Sequence, residues 1–278
     1  MTTVTIMGAG GKVGYRIAKN LKAQDDFTIL CVEISAEGQA RLGELGLSVT
    51  SEDEALARSE AVVLSVPDAL IGKICEQIVP RLNSGTVVIG LDPAAPYAGV
   101  LPARDDIAYF ICHPCHPPVF NQETDPAALT DWFGGEIARQ SVVCALHSGP
   151  EEKYAVGEAI ARAMFAPILR THRVTTEQMA ILEPGLVETL TATCLTIIRE
   201  AFDEAIRLGV PEAAARDFLY GHLRVELAVL FNEADFPFSD GAIYAINQAR
   251  EQIFRPDWKK VMAVENIKQS AREIANAG

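Results

Sequence analysis

The chain has 278 residues, 49% of them hydrophobic, six cysteines and a formal net charge of −13 at pH 7. This length allows two domains with a core each, the negative charge argues against nucleic acid and anionic membranes as partners, and thinly spread cysteines are typical of reduced thiols. Because no apolar run reaches the roughly 18 residues of a membrane helix and no leader-like segment precedes the first strand, we expect a cytoplasmic protein.

The first 33 residues predict a strand, a glycine-rich loop, a helix and a second strand. Residues 3–7 and 27–32 are rich in β-branched side chains, and residues 15–23 have a helical pattern. Between them, glycines at positions 8, 11 and 14 let the chain turn tightly, so that backbone N–H groups can approach a pyrophosphate at the helix N-terminus. We therefore predict a dinucleotide-binding loop in the G-x-x-G-x-x-G register, since the stricter G-x-G-x-x-G spacing fails at Val13.

An acidic residue, Glu33, closes the second strand about 20 residues after the loop, where a carboxylate accepts hydrogen bonds from the ribose hydroxyls of NAD. The same charge would repel the extra phosphate of NADP. The alternative is a glycine-rich turn in another kind of α/β protein. The predicted NAD contacts, including the loop after the strand at 61–66, are Gly8, Gly10, Gly11, Lys12, Val13, Gly14, Glu33, Ser65, Val66 and Pro67.

Alternating strands and helices continue to about residue 174. Helices are predicted at 39–47, 69–82 and 151–165, and strands at 48–50, 61–66, 86–91, 107–111, 141–146 and 168–174. This alternation is typical of an α/β protein with a Rossmann-type doubly wound parallel sheet. We predict that residues 1–174 form the NAD-binding domain.

The pattern from residue 175 onward contains helices only. One long apolar helix is predicted at 175–209, with a kink at Pro184, and further helices at 211–232, 241–254 and 258–277. We therefore predict an all-α C-terminal domain over residues 175–278 that binds substrate. A helical domain this apolar usually supplies a dimer interface, so a homodimer is expected.

The segment CHPCHPPVF at residues 112–120 follows a predicted strand and lies at the edge where the cofactor binds. A structural zinc site is disfavoured, because the C-x-x-C spacing of Cys112 and Cys115 has no second ligand pair elsewhere. Three prolines hold the segment in a fixed shape, which suits the accurate placement of one imidazole. We predict His116 as a metal ligand or catalytic base, with His113 next; alternatively, both histidines only hydrogen-bond the backbone.

Two further groups of residues could carry chemistry. Glu183 lies in apolar surroundings before Pro184, where a carboxylate needs a partner, a metal or a raised pKa. His222 and Glu226 are four residues apart on one predicted helix face, a spacing that suits a divalent ion, an acid–base pair or a purely structural pair.

The order of an NAD-binding domain and an all-helical domain resembles the 6-phosphogluconate/3-hydroxyacid dehydrogenase superfamily. The chain departs from its decarboxylating members, since the long helix lacks their Lys-x-x-x-Asn pair and instead carries EPGLVE at 183–188. Acidic residues there are similar to those with which ketol-acid reductoisomerases bind divalent metal. The GAGGK loop from Gly8 and the HPCHPPVF segment at 113–120 resemble the D-apionate oxidoisomerase family.

This resemblance implies an NAD-dependent oxidoreductase of sugar-acid catabolism that acts on a CH–OH group and converts the branched acid D-apionate to 3-oxo-isoapionate. A divalent ion (Mg, Mn or Zn) held by His116 and Glu183 would chelate the substrate as a Lewis acid. His222 or Glu226 would remove the hydroxyl proton as hydride leaves. The alternatives are a metal-free 3-hydroxyacid or sugar-acid dehydrogenase with a histidine base, and a non-catalytic NAD-sensing protein.

Overall fold

The computed structural model describes residues 1–276, so Ala277, the end of the last predicted helix, and Gly278 lie outside the described residues. The chain divides into two compact units. The first comprises Met1–Pro184 and the C-terminal residues from Ile267, and the second comprises Gly185–Asn266. We refer to them as the sheet unit and the helical unit.

The sheet unit contains one seven-stranded sheet of order β2-β1-β3-β4-β5-β6-β7. All neighbouring strands are parallel except β5 and β6, which are antiparallel. This confirms the predicted fold class, a mostly parallel, Rossmann-type sheet followed by helices. The strands are β1 Thr2–Met7, β2 Phe27–Val32, β3 Ala61–Leu64, β4 Val87–Gly90, β5 Ala108–Pro114, β6 Gln140–Ser148 and β7 Ile168–Arg173. The segment predicted as a strand at 48–50 forms only an isolated bridge between Val49 and Cys31.

Helices cover both faces of the sheet. They are α1 Lys12–Lys22, α2 Ala36–Glu44, α3 Glu52–Arg58, α4 Asp68–Ile78, α5 Ala94–Ala98, α6 Lys153–Met164 and α7 Thr176–Ala180. One apolar cluster joins α1 and α6 to the sheet through residues such as Leu21 and Met164. A second joins α3 and α4 to it through residues such as Leu56 and Ile78. Burial of each such side chain contributes about 1.5–3 kcal/mol to the free energy of folding. The two apolar clusters, one on each face, therefore stabilise this strand order.

The domain division between residues 174 and 175 remains a prediction; the two compact units divide after Pro184. Helix α7 belongs with the sheet because Met179 and Ala180 are fully buried and the helix packs against α5 and β6. In the last helix, α11 Val264–Asn276, the side chains of Ile267 and Ala271 are buried. The ammonium group of Lys268 lies 5.8 Å from the ring centre of Tyr97.

The helical unit contains α8 Thr193–Arg207, α9 Glu212–Leu230 and α10 Asp240–Ile253, with a short 3₁₀ helix at Trp258–Met262. The long helix predicted over 175–209 runs without a break from Thr176 to Arg207 and consists of α7, a π-helix at Ile181–Ala192 and α8. Pro184, which has no N–H to donate within a helix, lies in the π-helical part of this stretch. By length and composition the stretch Thr176–Arg207 could cross a membrane, with a mean hydropathy of 1.4 over its most apolar window.

Candidate functional site

The glycine-rich loop joins β1 to α1 and lies against the end of β3. Gly8 has a left-handed φ of +73°, and a Cβ there would lie 2.3 Å from the carbonyl oxygen of Ser65. A Cβ at Gly14 would lie 2.2 Å from the carbonyl oxygen of Gly8. Neither position can accept a side chain without moving backbone. Lys12 and Val13, the first residues of α1, are exposed on the surface that a dinucleotide would cover.

Glu33 already faces this loop. Its carboxylate accepts hydrogen bonds from the backbone N–H groups of Gly10 and Ser35, each at 2.8 Å. Burial alone would raise the pKa of Glu33, but these hydrogen bonds outweigh it and hold the pKa below its ordinary value. Arg41 lies beside the same loop and donates to the carbonyl oxygen of Gly10 at 2.9 Å. A charged carboxylate and a guanidinium therefore flank the predicted ribose position.

The residues after β3 complete the edge of the predicted cofactor site. The backbone N–H of Ser65 donates a hydrogen bond to the carbonyl oxygen of Met7 at 3.0 Å. Pro67 directly precedes Asp68, the first residue of α4. Val66 is half-buried, and its side chain would lie 3.2 Å from a Cβ placed at Gly8. The loop and the end of β3 thus form one continuous surface, although the contacts of individual residues with NAD remain predictions.

Three possible metal ligands meet at the carboxyl edge of the sheet. Asp92 follows β4, His113 lies near the end of β5, and Glu183 lies at the start of the π-helix. One ligand atom from each lies within 4.8 Å of the other two. The Nε2 atom of His113 is 3.4 Å from a carboxylate oxygen of Glu183. Because β4 and β5 are parallel neighbours, their ends deliver Asp92 and His113 to the same place.

The tautomer of His113 follows from its hydrogen-bond partner. The Nδ1 atom lies 2.8 Å from the carbonyl oxygen of Leu91. A carbonyl oxygen can only accept a hydrogen bond, so Nδ1 carries the hydrogen. In the neutral ring the lone pair then lies on Nε2, which faces Glu183. A backbone carbonyl that fixes the far nitrogen in this way is the usual support of a metal-binding histidine.

The electrostatics of this cluster favour a cation. Burial raises the pKa of Asp92 and the charge of Glu183 adds to this effect, although the Ala94 N–H and His113 oppose it. Burial also raises the pKa of Asp68, at the start of α4, and the charge of Asp92 adds to this. Two carboxyl groups thus lie beside one imidazole, and the charge of a third, Asp68, acts on the same cluster. A divalent ion bound by one imidazole nitrogen and two carboxylates would offset this charge and keep positions open for substrate oxygens.

His116 lies outside the group that contains Glu183. Strand β5 continues to Pro114, so His113 is still held in the sheet while His116 lies beyond it with a left-handed φ of 59°. Its Nδ1 atom lies 3.0 Å from the carbonyl oxygen of Phe133, and its ring centre is 6.4 Å from that of His113. The structure therefore pairs Glu183 with His113 where the sequence analysis paired it with His116.

His222 and Glu226 lie on α9 in the helical unit. The Nδ1 atom of His222 donates to the carbonyl oxygen of Phe218 at 2.8 Å, and the two rings stack with centres 4.0 Å apart. Both His222 and Glu226 are exposed, and within residues 1–276 no ion pair joins them. Their role as an acid–base pair remains a prediction.

Asp92 is not among the residues predicted from the sequence, although its position carries a signal. The residue comes directly after an apolar strand, and in parallel sheets such positions lie at the ligand-binding edge. Asp92 also precedes Pro93, and its carboxylate accepts the N–H of Ala94 at 2.7 Å, as turn residues often do. The sequence around Asp92 therefore indicates only a turn residue. Its role as a possible metal ligand becomes visible only when β5, with His113, is placed beside β4.

Comparison with known proteins gives matches over the whole chain. Residues 121–275 match the family model described as phosphogluconate dehydrogenase (decarboxylating) C-term. Residues 3–94 match the one described as NADP oxidoreductase coenzyme F420-dependent. The N-terminal third of the chain therefore matches an oxidoreductase model, and residues from β6 through the helical unit match the C-terminal model of a dehydrogenase.

Full-length relatives are also found. A D-apionate oxidoisomerase from Rhizobium rhizogenes is 52% identical over 99% of this chain and 100% of its own length. One from Cupriavidus necator is 52% identical over 98% of each chain. A solved structure of a semialdehyde dehydrogenase NAD-binding protein from Cupriavidus necator, in complex with calcium and NAD, is 51% identical with a TM-score of 0.96 and covers 99% of each chain. The NAD bound in this solved structure supports NAD as the cofactor.

Proposed function

The chain belongs to the D-apionate oxidoisomerase family, within the 6-phosphogluconate/3-hydroxyacid dehydrogenase superfamily, and on this basis we propose that it converts D-apionate to 3-oxo-isoapionate with a divalent metal ion. The chain is an NAD-dependent oxidoreductase. The observation that carries the finer proposal is the convergence of Asp92, His113 and Glu183 at the sheet edge that also holds the dinucleotide loop. We further propose that the protein acts in the cytoplasm.

The proposed reaction combines an oxidation with a carbon shift. Carbon 2 of the substrate gives a hydride to NAD⁺ while its hydroxyl loses a proton, which leaves a 2-oxo-3-hydroxy acid. The 3-hydroxyl then loses its proton, a hydroxymethyl group moves from carbon 3 to carbon 2, and the oxygen on carbon 2 takes up a proton. The sum is D-apionate plus NAD⁺ giving 3-oxo-isoapionate, NADH and one proton. The protein must therefore bind vicinal oxygens and move protons between them.

The three convergent side chains are suited to the first task. Nε2 of His113 and one oxygen each from Asp92 and Glu183 would hold the ion, which when bound supplies Lewis-acid polarisation of a substrate carbonyl. A mixed set of imidazole and carboxylate ligands accepts Mg, Mn or Zn. The hydrogen bond from His113 to Leu91 holds the imidazole in the ligand orientation before any ion binds.

Proton transfer is assigned to His116. Its Nδ1–H donates to Phe133, which leaves the lone pair of the neutral ring on Nε2, and the ring centre lies 6.4 Å from that of His113. A positioned general base typically contributes 10²–10⁴-fold to a rate, so His116→Ala is expected to lower kcat by about that factor with NAD affinity unchanged. The pair His222 and Glu226 is the alternative, and His222→Ala distinguishes the two.

A metal-free dehydrogenase of a simple hydroxy acid is the second candidate. This candidate is supported by the 3.4 Å distance between Nε2 of His113 and a carboxylate oxygen of Glu183, because the two side chains can form an ion pair without a metal. In that case His113 would be a protonated electrostatic group and His116 the base. The two candidates differ in their need for an ion and in whether the carbon skeleton changes.

The experiment follows NADH absorbance with D-apionate and with linear 2- and 3-hydroxy acids, for protein treated with EDTA and then supplied with Mg²⁺, Mn²⁺ or Zn²⁺. We expect turnover of D-apionate that EDTA abolishes and a divalent ion restores. Turnover of a linear hydroxy acid that is indifferent to EDTA would support the metal-free dehydrogenase. NAD binding without turnover of any of these acids would contradict both.

A further inference from the structure

A short loop between β5 and β6, residues 131–138, contacts the imidazole of His116. The Nδ1 atom of His116 lies 3.0 Å from the carbonyl oxygen of Phe133, which can only accept a hydrogen bond. The rings of the two residues also meet edge to face, with centres 5.8 Å apart. His116 lies beyond the end of β5, so this loop, rather than a strand of the sheet, sets the orientation of its ring.

One carboxylate oxygen closes the 131–138 loop. Oδ2 of Asp131 accepts three backbone N–H hydrogen bonds of 2.9–3.1 Å, from Glu136, Ile137 and Ala138. The carbonyl oxygen of Asp131 accepts a further hydrogen bond from the N–H of Gly134 at 3.1 Å. Hydrogen bonds to a carboxylate are about twice as strong as those between neutral groups. Asp131 therefore joins the two ends of the loop whose carbonyl oxygen faces His116.

The turn directly after Phe133 is packed against the core. Gly134 has a left-handed φ of +69°, and a Cβ there would lie 2.6 Å from Cδ of Gln140. The side chain of Gln140 is buried and donates a hydrogen bond to the carbonyl oxygen of Phe165 at 3.0 Å. The backbone next to the Phe133 carbonyl group thus has little room to move toward the sheet.

Helix α1 holds the loop from the other side. The side-chain amide of Asn20 donates to the carbonyl oxygen of Gly135 at 3.0 Å. The guanidinium carbon of Arg16 lies 5.3 Å from the ring centre of Phe133. The same helix begins at the glycine-rich loop, so the predicted NAD site and the carbonyl group that contacts His116 are both fixed to α1.

The position of the Phe133 carbonyl group decides which nitrogen of His116 can accept a proton. A neutral imidazole carries one hydrogen, and a carbonyl oxygen at Nδ1 keeps that hydrogen there and leaves the lone pair on Nε2. Without this contact the hydrogen can occupy either nitrogen. A displacement of about 1 Å at a reacting centre can also lower a rate about 100-fold.

We propose that Asp131 is a positioning residue for the reaction. By closing the 131–138 loop it holds the carbonyl oxygen of Phe133 against Nδ1 of His116, which keeps the lone pair on Nε2 free to accept the substrate proton. This proposal rests on the proposed function, in which His116 is the general base. Asp131 acts through His116, so its loss should change the tautomer of His116 and kcat while the affinity for NAD is retained.

The first measurement determines the tautomer of His116. It uses ¹⁵N NMR of the full-length protein with ¹⁵N-labelled histidine, in Mg²⁺ at about pH 8, and identifies the His116 signals by their loss in His116→Ala. In the wild type we expect the hydrogen on Nδ1, and in Asp131→Ala a mixture of the two tautomers. Hydrogen on Nε2 in the wild type, or an unchanged tautomer in Asp131→Ala, would overturn the proposal.

The second measurement is a double-mutant cycle on kcat with D-apionate and NAD⁺. Asp131→Ala should lower kcat about 10- to 100-fold through misplacement of the base, with the Kd for NAD unchanged. In the background of His116→Ala the same substitution should have little further effect, because the group through which Asp131 acts is already absent. Equal losses in both backgrounds would show a merely structural role and overturn the proposal.

Two further variants serve as controls. Asp131→Asn retains an acceptor oxygen and should keep the wild-type tautomer and most of kcat. Asp125→Ala is the matched control in the same connection between β5 and β6, because the Asp125 carboxylate accepts the N–H of Ala127 at 2.9 Å, outside the 131–138 loop. It should behave as the wild type. A loss of kcat in Asp125→Ala equal to that in Asp131→Ala would contradict the specific role of Asp131.

The outcomes separate this proposal from the proposed function. Full activity of His116→Ala would overturn His116 as the base and, with it, the catalytic role of Asp131. A wild-type tautomer of His116 in Asp131→Ala would overturn the positioning role alone. If Asp131→Ala does not fold, Asp131→Ser is measured in its place with the same expected results, because its shorter side chain places the oxygen farther from the three N–H groups.

Discussion

His113 donates a hydrogen bond from Nδ1 to the carbonyl oxygen of Leu91 at 2.8 Å, and this contact decides which imidazole nitrogen faces Glu183. Leu91 lies just beyond β4 and His113 in β5, so adjacent parallel strands set the ring orientation. The nitrogen on the other side of the ring is the one that can bind a metal ion. The two strands therefore orient the His113 ligand atom of the proposed metal site.

Replacing Asp92 should stabilise the metal-free protein. Burial raises the pKa of Asp92 above its ordinary value of 3.8. The protein therefore loses stability as pH rises from 3.8 through the raised folded-state pKa, because the buried carboxyl group must ionise. At neutral pH, Asp92→Asn removes this penalty. In EDTA its Tm should exceed that of the wild type by about 2–4 °C for each kcal/mol recovered, measured by calorimetry.

The same variant should lose its response to divalent ions. Wild-type Tm is expected to rise on addition of Mn²⁺, since an ion that binds only the folded state stabilises it, while Asp92→Asn should respond little. Asp106→Asn is the control, because Asp106 is exposed and pairs with Arg104, and its response to Mn²⁺ should be that of wild type. A normal Mn²⁺ response in Asp92→Asn would contradict the assignment of Asp92 as a ligand.

Cofactor preference should depend on Glu33 and Arg41 together. Removing the carboxylate in Glu33→Ser takes away the repulsion of a 2′-phosphate, while Arg41 beside Gly10 remains as a cation for it. We expect kcat/KM with NADP to rise about tenfold or more, and kcat/KM with NAD to fall. Adding Arg41→Ala should reverse the gain with NADP. Unchanged NADP use in Glu33→Ser would show that another group excludes the phosphate.

The stability contributed by Glu33 should depend on pH in a defined direction. Its folded-state pKa lies below the ordinary value of 4.5, so ionised Glu33 stabilises the fold above that pH and the contribution is lost as pH falls through the folded-state value. The Tm difference between wild type and Glu33→Gln should therefore be constant near neutral pH and shrink below 4.5. Glu37→Gln, at an 87% exposed side chain, should show no comparable difference.

The glycines of the dinucleotide loop provide a sharp steric test. In Gly14→Ala the new methyl group would lie 2.2 Å from the carbonyl oxygen of Gly8, so the loop must shift and NAD affinity should fall at least tenfold. Gly43→Ala is the matched control, because nothing lies within 4 Å of its Cβ position in α2. That change should leave the Kd for NAD unchanged and raise stability by about 0.5–1 kcal/mol. Equal affinities in calorimetric titrations would contradict the predicted loop.

Much of the sheet unit could be predicted from local sequence. Strand, glycine loop, helix and Glu33 follow one another within 33 residues, and each has a short-range physical signature. The choice between His113 and His116 could not be predicted, since it depends on β5 continuing to Pro114 in register with β6. The π-helix at Ile181–Ala192 could not be predicted either, because a proline within a helix is compatible with several local backbone conformations.

The most direct test of the account is identification of the product formed from D-apionate and NAD⁺ in the presence of Mn²⁺, by ¹³C NMR with NADH measured in parallel. We predict one 3-oxo-isoapionate per NADH for wild type, and a loss of at least 100-fold in rate for His113→Ala with its affinity for NAD retained. An oxidised product with an unrearranged carbon skeleton, or full activity of His113→Ala, would contradict the proposed metal-assisted oxidoisomerase.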